Sequence, residues 1–405
     1  MNQIPTNRPP RPKYQGRPIR LPKKCAPPKA LVLATTLTAI LLVVSIMTLS
    51  IALLVGTPNE FESGSGGKKK EKTEEIQEAE PPISAKFLTF PSKTASGSYL
   101  STNAANVVTG DSRLKSKAAI LVDMNSTTAL FAQSADTKVY PASMTKVMTL
   151  LVACEEAKDP TELLTITPEM MEALNTQKTT TVQINGFWTS KGASTWGGWS
   201  AGDQITLEDA LFLVNYRSDT IACWLLANRF GGGEQGFVAK MNQKARSMGL
   251  TGTKFSNCTG LYNEDHYTTC REMAAIMQAA MNNPAAKTVI MAYTEHVMDV
   301  YRDGVFNRTI DQIYAAWYSE RLSNNAWVGN GSDLKFRGGK TGWEEVPKAC
   351  FVTVAQNTEK TDEWYICVTV GRITTADAEV SASECTKDAK YLYRRYAEGN
   401  ASATW

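Results

Sequence analysis

The sequence predicts an α/β domain built on one antiparallel sheet flanked by helices, carried behind a single N-terminal membrane span. Three observations predict it. Short β-rich runs stand at both ends of the stretch from Ser116 to Tyr396, helical periodicities fill its middle, and an uncharged apolar run precedes it. The chain has 405 residues, 43% hydrophobic and 20% charged, which is ample for one large core and too apolar for general disorder. Its net charge of +3 is small and concentrated at the front, so no basic face argues for nucleic acid.

Residues 1–29 carry Arg8, Arg11, Lys13, Arg17, Arg20, Lys23, Lys24 and Lys29, several prolines and no acid. Such a segment does not fold alone. Ala30 to Val55 then runs without a charge, long enough to cross roughly 30 Å of hydrocarbon as a helix. Because the basic flank comes first, the positive-inside rule puts 1–29 in the cytoplasm as a tail, makes 30–56 a retained anchor and sends the remainder outside. A cleaved signal peptide would have a shorter apolar core and a small-x-small cleavage site, which this run does not clearly show. Residues 57–112, with GSGSGG, a mixed charge run and a Ser/Thr-rich stretch, read as a solvated extracytoplasmic linker. The folded domain is then expected over 113–400.

Order is expected to begin near Ser116, with AAILVDM and TALFAQ as a hairpin around Asn125 and Ser126. A helix from Met144 to Ala157 follows, burying one face through Val147, Met148, Leu150, Leu151 and Cys154. Further helices are expected at Leu207 to Ala227, Gly236 to Met248 and Arg271 to Met281. Cys350 to Asn357 and Trp364 to Gly371 form a second hairpin, and a helix from Asp377 to Tyr396 closes the domain. Seven cysteines follow the span at irregular spacing, so no disulfide framework is legible, and Cys258, His266 and Cys270 lack the fourth ligand and paired spacing of a zinc site.

Ser143-Met-Thr-Lys146 opens the first long helix. At this separation a hydroxyl and an amine share one helix face, so the amine can accept the hydroxyl's proton. Alone, this spacing is weak, because a chain of this size contains it by chance. Ser218-Asp219-Thr220 follows an apolar helical run, and Gly339-Lys340-Thr341-Gly342 stands before the last strand pair. S-x-x-K, then S-x-N, then K-T-G is the ordered signature of penicillin-binding proteins and serine β-lactamases. Together with FVAKMNQKARSMGLTGTKFSNCTGLYNEDHYTT (Phe237 to Thr269), the stretch from about Ser116 to Tyr396 resembles the low-molecular-mass D-alanyl-D-alanine carboxypeptidases, serine peptidases of the S11 type.

That resemblance implies a serine β-lactamase/penicillin-binding-protein-like transpeptidase fold with a helical subdomain carrying Ser218. It implies Ser143 as acylated nucleophile, Lys146 as general base and Ser218 as proton relay to the leaving D-alanine. Thr220, Lys340, Thr341, Gly342 and Trp343 would bind substrate: Lys340 and Thr341 at the terminal carboxylate, Gly342 admitting its backbone, and the N–H groups of Ser143 and Trp343 forming an oxyanion hole. Peptidoglycan stem peptides would be the substrates and β-lactams the inhibitors, with no metal and no other cofactor.

The chain departs from the family pattern in three places. Thr220 replaces the Asn of the second motif, removing an amide that both donates and accepts; one lost transition-state hydrogen bond costs roughly 2–4 kcal/mol. Asn185 to Trp199 is an enlarged Trp- and Gly-rich insertion, readable as a lid, a glycan-binding rim or a surface loop packed on its own domain. The segment after K-T-G is Trp-Glu-Glu-Val-Pro, and the family's distal arginine has only Arg372 nearby. Many members also carry a C-terminal all-β domain and an amphipathic membrane helix, whose anchoring role the N-terminal span is expected to take. A catalytically attenuated homologue that binds wall peptides or penicillin is the rival to an enzyme.

Overall fold

The computed structural model describes residues 88–90, 107–176, 180–193, 195, 197–292, 296–313, 328 and 331–404. The expected tail, the apolar run and most of the linker lie outside the described residues, among which no helix is long and apolar enough to cross a membrane.

In chain order the elements are β1 (Val108–Thr109), β2 (Ala118–Asp123), β3 (Thr128–Gln133), α1 (Lys146–Glu156), β4 (Leu163–Thr165), α2 (Pro168–Asn175), β5 (Val182–Ile184), β6 (Phe187–Thr189) and β7 (Asp203–Thr206). There follow α3 (Leu207–Tyr216), α4 (Thr220–Gly231), α5 (Glu234–Ser247), α6 (Cys270–Asn282) and α7 (Pro284–Met291). The chain continues with β8 (His296–Arg302), β9 (Val305–Ile313), β10 (Leu334–Glu344), β11 (Lys348–Asn357), β12 (Trp364–Val370) and α8 (Ala382–Leu392).

Six strands form the main sheet in the order β1-β3-β2-β12-β11-β10. Both expected hairpins are there, and β12 pairs antiparallel with β2, so the two ends of the domain close one sheet. The sheet is not wholly antiparallel, because β1 adds parallel to β3. It also begins earlier than expected. Leu88 is 2% exposed, its N–H bonded to Glu208, and Asp111 accepts from Tyr391 and Tyr396. Parts of the stretch read as solvated linker therefore pack on the domain, because isolated apolar residues within polar sequence leave no periodic signal.

The central helix α1 is buried from Lys146 through Cys154 on every side, packed among α3, α4 and α6, rather than on one face. Its polar residues must then find partners inside. Thr149 donates to the carbonyl of Cys258 at 2.7 Å. The expected single helix from Leu207 to Ala227 is two: Ser218 takes a left-handed φ of 54°, and Asp219 caps α4 by accepting from the Ala222 N–H. Apolar stretches on both sides of the break hid that N-cap.

A second sheet, β4-β7-β8-β9, was not among the elements expected from the sequence. The buried Asp203 anchors it, with Arg302 at 2.7 Å and Arg308 at 2.9 Å.

Candidate active site

Ser143 lies in a 3-10 turn, Ala142–Thr145, that leads into α1, rather than in the α-helix itself. In a 3-10 turn side chains three residues apart eclipse. Lys146 Nζ accordingly stands 3.3 Å from Ser143 Oγ, and the lysine is 3% exposed. The same amine donates to the carbonyl of Thr259 at 2.5 Å. That carbonyl belongs to a tight loop built by Asn257, whose Oδ1 accepts from the N–H groups of Thr259, Gly260 and Leu261 and from the Thr259 hydroxyl. Gly260 has φ +86°, and a Cβ there would fall 2.0 Å from Ala142 O and 3.0 Å from Ser143 N. The loop thus presses on the backbone of Ser143, a tightness only glycine permits.

On the other flank, β10 is the edge strand of the main sheet among the described residues. A Cβ on Gly342 would lie 3.0 Å from Ser143 N and 2.6 Å from Cys350 Sγ, so the K-T-G strand runs directly alongside the serine. In register, Lys340 faces Val352, Thr341 faces Phe351 and Trp343 faces Ala349. Lys340 is 3% exposed and donates to the carbonyl of Thr341 at 2.9 Å. Burial, and then the neighbouring Lys146, push the Lys340 ammonium down to about 7. Trp343 is 62% exposed at the strand's outer end.

Ser218 sits at the α3–α4 turn with its hydroxyl buried and without a hydrogen-bond partner, so it bonds to neither Ser143 nor Lys146 here. Catalytic hydrogen bonds often tighten only with substrate in place. Its left-handed backbone is an uncommon conformation for a serine. Thr220 is buried as the first residue of α4. Asp219, between them, is engaged in capping and in accepting from Thr195 at 2.7 Å.

His266 is a buried neighbour and not a base. Burial, then Lys146, hold it down at about 3. Its Nδ1 accepts from the Ser256 N–H, so Nε2 carries the proton and donates to Thr145 at 2.7 Å. All seven described cysteines are buried and free.

The hydroxyl–amine pair at the start of a buried helix, beside an open strand edge, is the arrangement that the three motifs require. A family model for D-alanyl-D-alanine carboxypeptidase, peptidase S11, matches residues 104–372. The chain belongs to this family. Among relatives of the carboxypeptidase family, it is 28% identical over 189 residues to the D-alanyl-D-alanine carboxypeptidase DacF of Bacillus subtilis, covering 46% of this chain and 44% of that one. It is 27% identical over 191 residues to the D-alanyl-D-alanine carboxypeptidase of Streptomyces sp. strain K15, covering 45% and 60%. The chain thus spans about half the length of the curated relatives it matches. The solved Streptomyces K15 DD-transpeptidase superposes with TM-score 0.55 at 20% identity, over 70% of this chain and 99% of that one. Penicillin binding protein 5 from Haemophilus influenzae gives 0.52 at 21%, over 71% and 72%. Both establish the penicillin-binding-protein-like fold.

Two departures from the carboxypeptidase pattern now have a structural account. Arg372, 6% exposed, donates to the carbonyls of Glu345 and Val346; it holds the β10–β11 turn and does not stand in for a substrate-binding arginine. The insertion opens with the turn and second strand of a hairpin, β5–β6, closed by Asn185 and Gly186 at φ 50° and 87°. It then packs on the site. The Trp188 N–H donates to Glu234, Thr195 to Asp219, and a Cβ on Gly192 would meet Glu344 at 3.2 Å and Leu261 at 3.3 Å. Trp199 is buried, and Trp196 lies outside the described residues. The role of the Asn257–Gly260 loop was missed by sequence reasoning, although its N-x-x-G-L pattern was in view.

Proposed function

We propose that the chain is a serine-type D-alanyl-D-alanine carboxypeptidase acting on peptidoglycan stem peptides. The observation that carries this reading is the 3.3 Å separation of Lys146 Nζ and Ser143 Oγ, with the Gly342 strand edge against the serine's N–H. A peptide laid along that edge adds as a further strand. Its terminal carboxylate meets Lys340 and Thr341, and its penultimate carbonyl reaches Ser143.

Ser143 Oγ then attacks the carbonyl carbon of the penultimate D-alanine while its proton passes to Lys146 Nζ. The N–H groups of Ser143 and Trp343 bear the oxyanion. The carbon–nitrogen bond breaks, and the leaving amine of D-alanine takes a proton through Ser218. Water, giving its proton to Lys146, hydrolyses the acyl ester and restores the serine. β-Lactams enter the same path by opening their ring on Ser143 Oγ. The apolar run at 30–55 behind a basic segment supports a single-pass anchor, N-terminus in the cytoplasm, with the catalytic domain outside facing the wall.

The test is release of D-alanine from a peptide ending in D-Ala-D-Ala by the full-length chain. Release is expected, is abolished in Ser143→Ala, and rises in Thr220→Asn, which restores the amide of the second motif. Tight peptide binding with no release would instead identify a non-catalytic wall-peptide binder.

A further inference from the structure

We infer that Glu234 is a positioning residue: it fixes the loop that holds the amine of Lys146 and ties that loop to the hairpin insertion. The inference rests on the acyl-serine reading and concerns what makes its base competent. Glu234 is the first residue of α5 and 1% exposed. A carboxylate so deep costs several kcal/mol unless bonded. Three donors bond it. Oε2 accepts from the Trp188 N–H at 2.6 Å, and Oε1 accepts from the Cys258 N–H at 3.0 Å and the Cys258 thiol at 3.2 Å. The amino end of α5 adds favourable potential. Burial nevertheless pushes the carboxyl up to about 7 against those donors, so the group sits there at a cost.

What that cost secures is visible one bond further on. The Cys258 residue is clamped from both sides, its N–H by Glu234 and its carbonyl by Thr149 at 2.7 Å. Thr149 lies one turn along α1 from Lys146. The next carbonyl in the loop, that of Thr259, receives Lys146 Nζ. A lysine side chain has four rotatable bonds and no intrinsic preference for one position, so the carbonyl decides where its amine stands relative to Ser143 Oγ. Glu234 therefore acts on the base through Cys258 and Thr259. Its other oxygen holds the β6 backbone, so the insertion and the nucleophile's lysine share one carboxylate.

The measurement is acylation of the full-length chain by a fluorescent penicillin, resolved into a dissociation constant for the first complex and a first-order acylation constant. In Glu234→Gln, which keeps shape but turns an amide NH2 toward a buried N–H, the acylation constant is expected to fall roughly tenfold or more. The dissociation constant stays within about twofold. Glu234→Asp recovers part of the loss. Thr149→Val, which frees the opposite side of the same residue, lowers the same constant, and the double variant loses less than the product of the two. If Glu234→Gln does not fold, Thr149→Val decides alone by the same split. An unchanged acylation constant, equal losses in binding and acylation, or independent effects would overturn the inference. A wild-type chain that penicillin does not acylate would overturn the underlying reading before any variant is compared.

Discussion

Lys340 is where the chemistry of a single residue is most exposed to test. Its ammonium is buried and releases its proton at about 7 in the folded chain, against an ordinary value of 10.5. Between those values the unfolded chain binds the extra proton, so this residue makes stability rise with pH across that window and is fully destabilising below it. Holding a carboxylate needs the charged form. The acylation rate of a penicillin carrying its free carboxylate, divided by that of its methyl ester, should therefore fall as pH rises above about 7, approaching tenfold per pH unit. Parallel profiles for acid and ester would show that Lys340 does not receive the carboxylate. Glu234 and His266 are likewise buried and shifted, but neither is within hydrogen-bond reach of Ser143 in the described contacts, and both act by holding backbone or side chains in place.

At the scale of elements, the site is the meeting of a 3-10 turn, a loop and a strand edge, with glycine at both contacts. Replacing Gly260 by alanine puts a methyl 2.0 Å from the carbonyl of Ala142 and requires a side chain at φ +86°. Expected are the loss of penicillin acylation by at least a hundredfold and a lowered melting temperature; a variant that acylates normally would mean that the loop does not set the serine. The motif residues and the two hairpins of the main sheet were legible because each is a local pattern: β-branched alternation in Ala118–Asp123 and Trp364–Val370, and triplets in fixed order. The Asn257 loop was legible as a string but not as a geometry, since one side chain gathering three backbone N–H groups leaves no periodicity. Two turns were legible in principle. Asn185-Gly186 and Asp303-Gly304 both take left-handed backbone at both residues, the strongest short-range hairpin signal there is, and they close β5–β6 and β8–β9. The helix break at Ser218 was obscured because Leu207 to Ala227 is apolar on both sides of it, and tertiary burial of both halves overrode the period.

Across the whole molecule, two distant parts of the chain build one sheet, and one edge of it flanks the site. The β2–β3 hairpin receives β12 from nearly the other end of the chain, and Asp388 of α8 accepts from the N–H groups of Lys115 and Ser116. Among the described residues that closure leaves β10 as the edge strand beside Ser143, where the proposed function lays the peptide end. Such an edge would invite aggregation, and here Gly192 of the insertion lies close to Glu344 at its outer end. The account as a whole stands on Ser143 becoming covalently bonded with Lys146 as its base. The most direct measurement is peptide mapping by mass spectrometry after the full-length chain has been exposed to a penicillin. The account predicts one adduct, on the peptide containing Ser143, absent from Ser143→Ala and formed far more slowly in Lys146→Met. No adduct, or an adduct on any other residue, would contradict it.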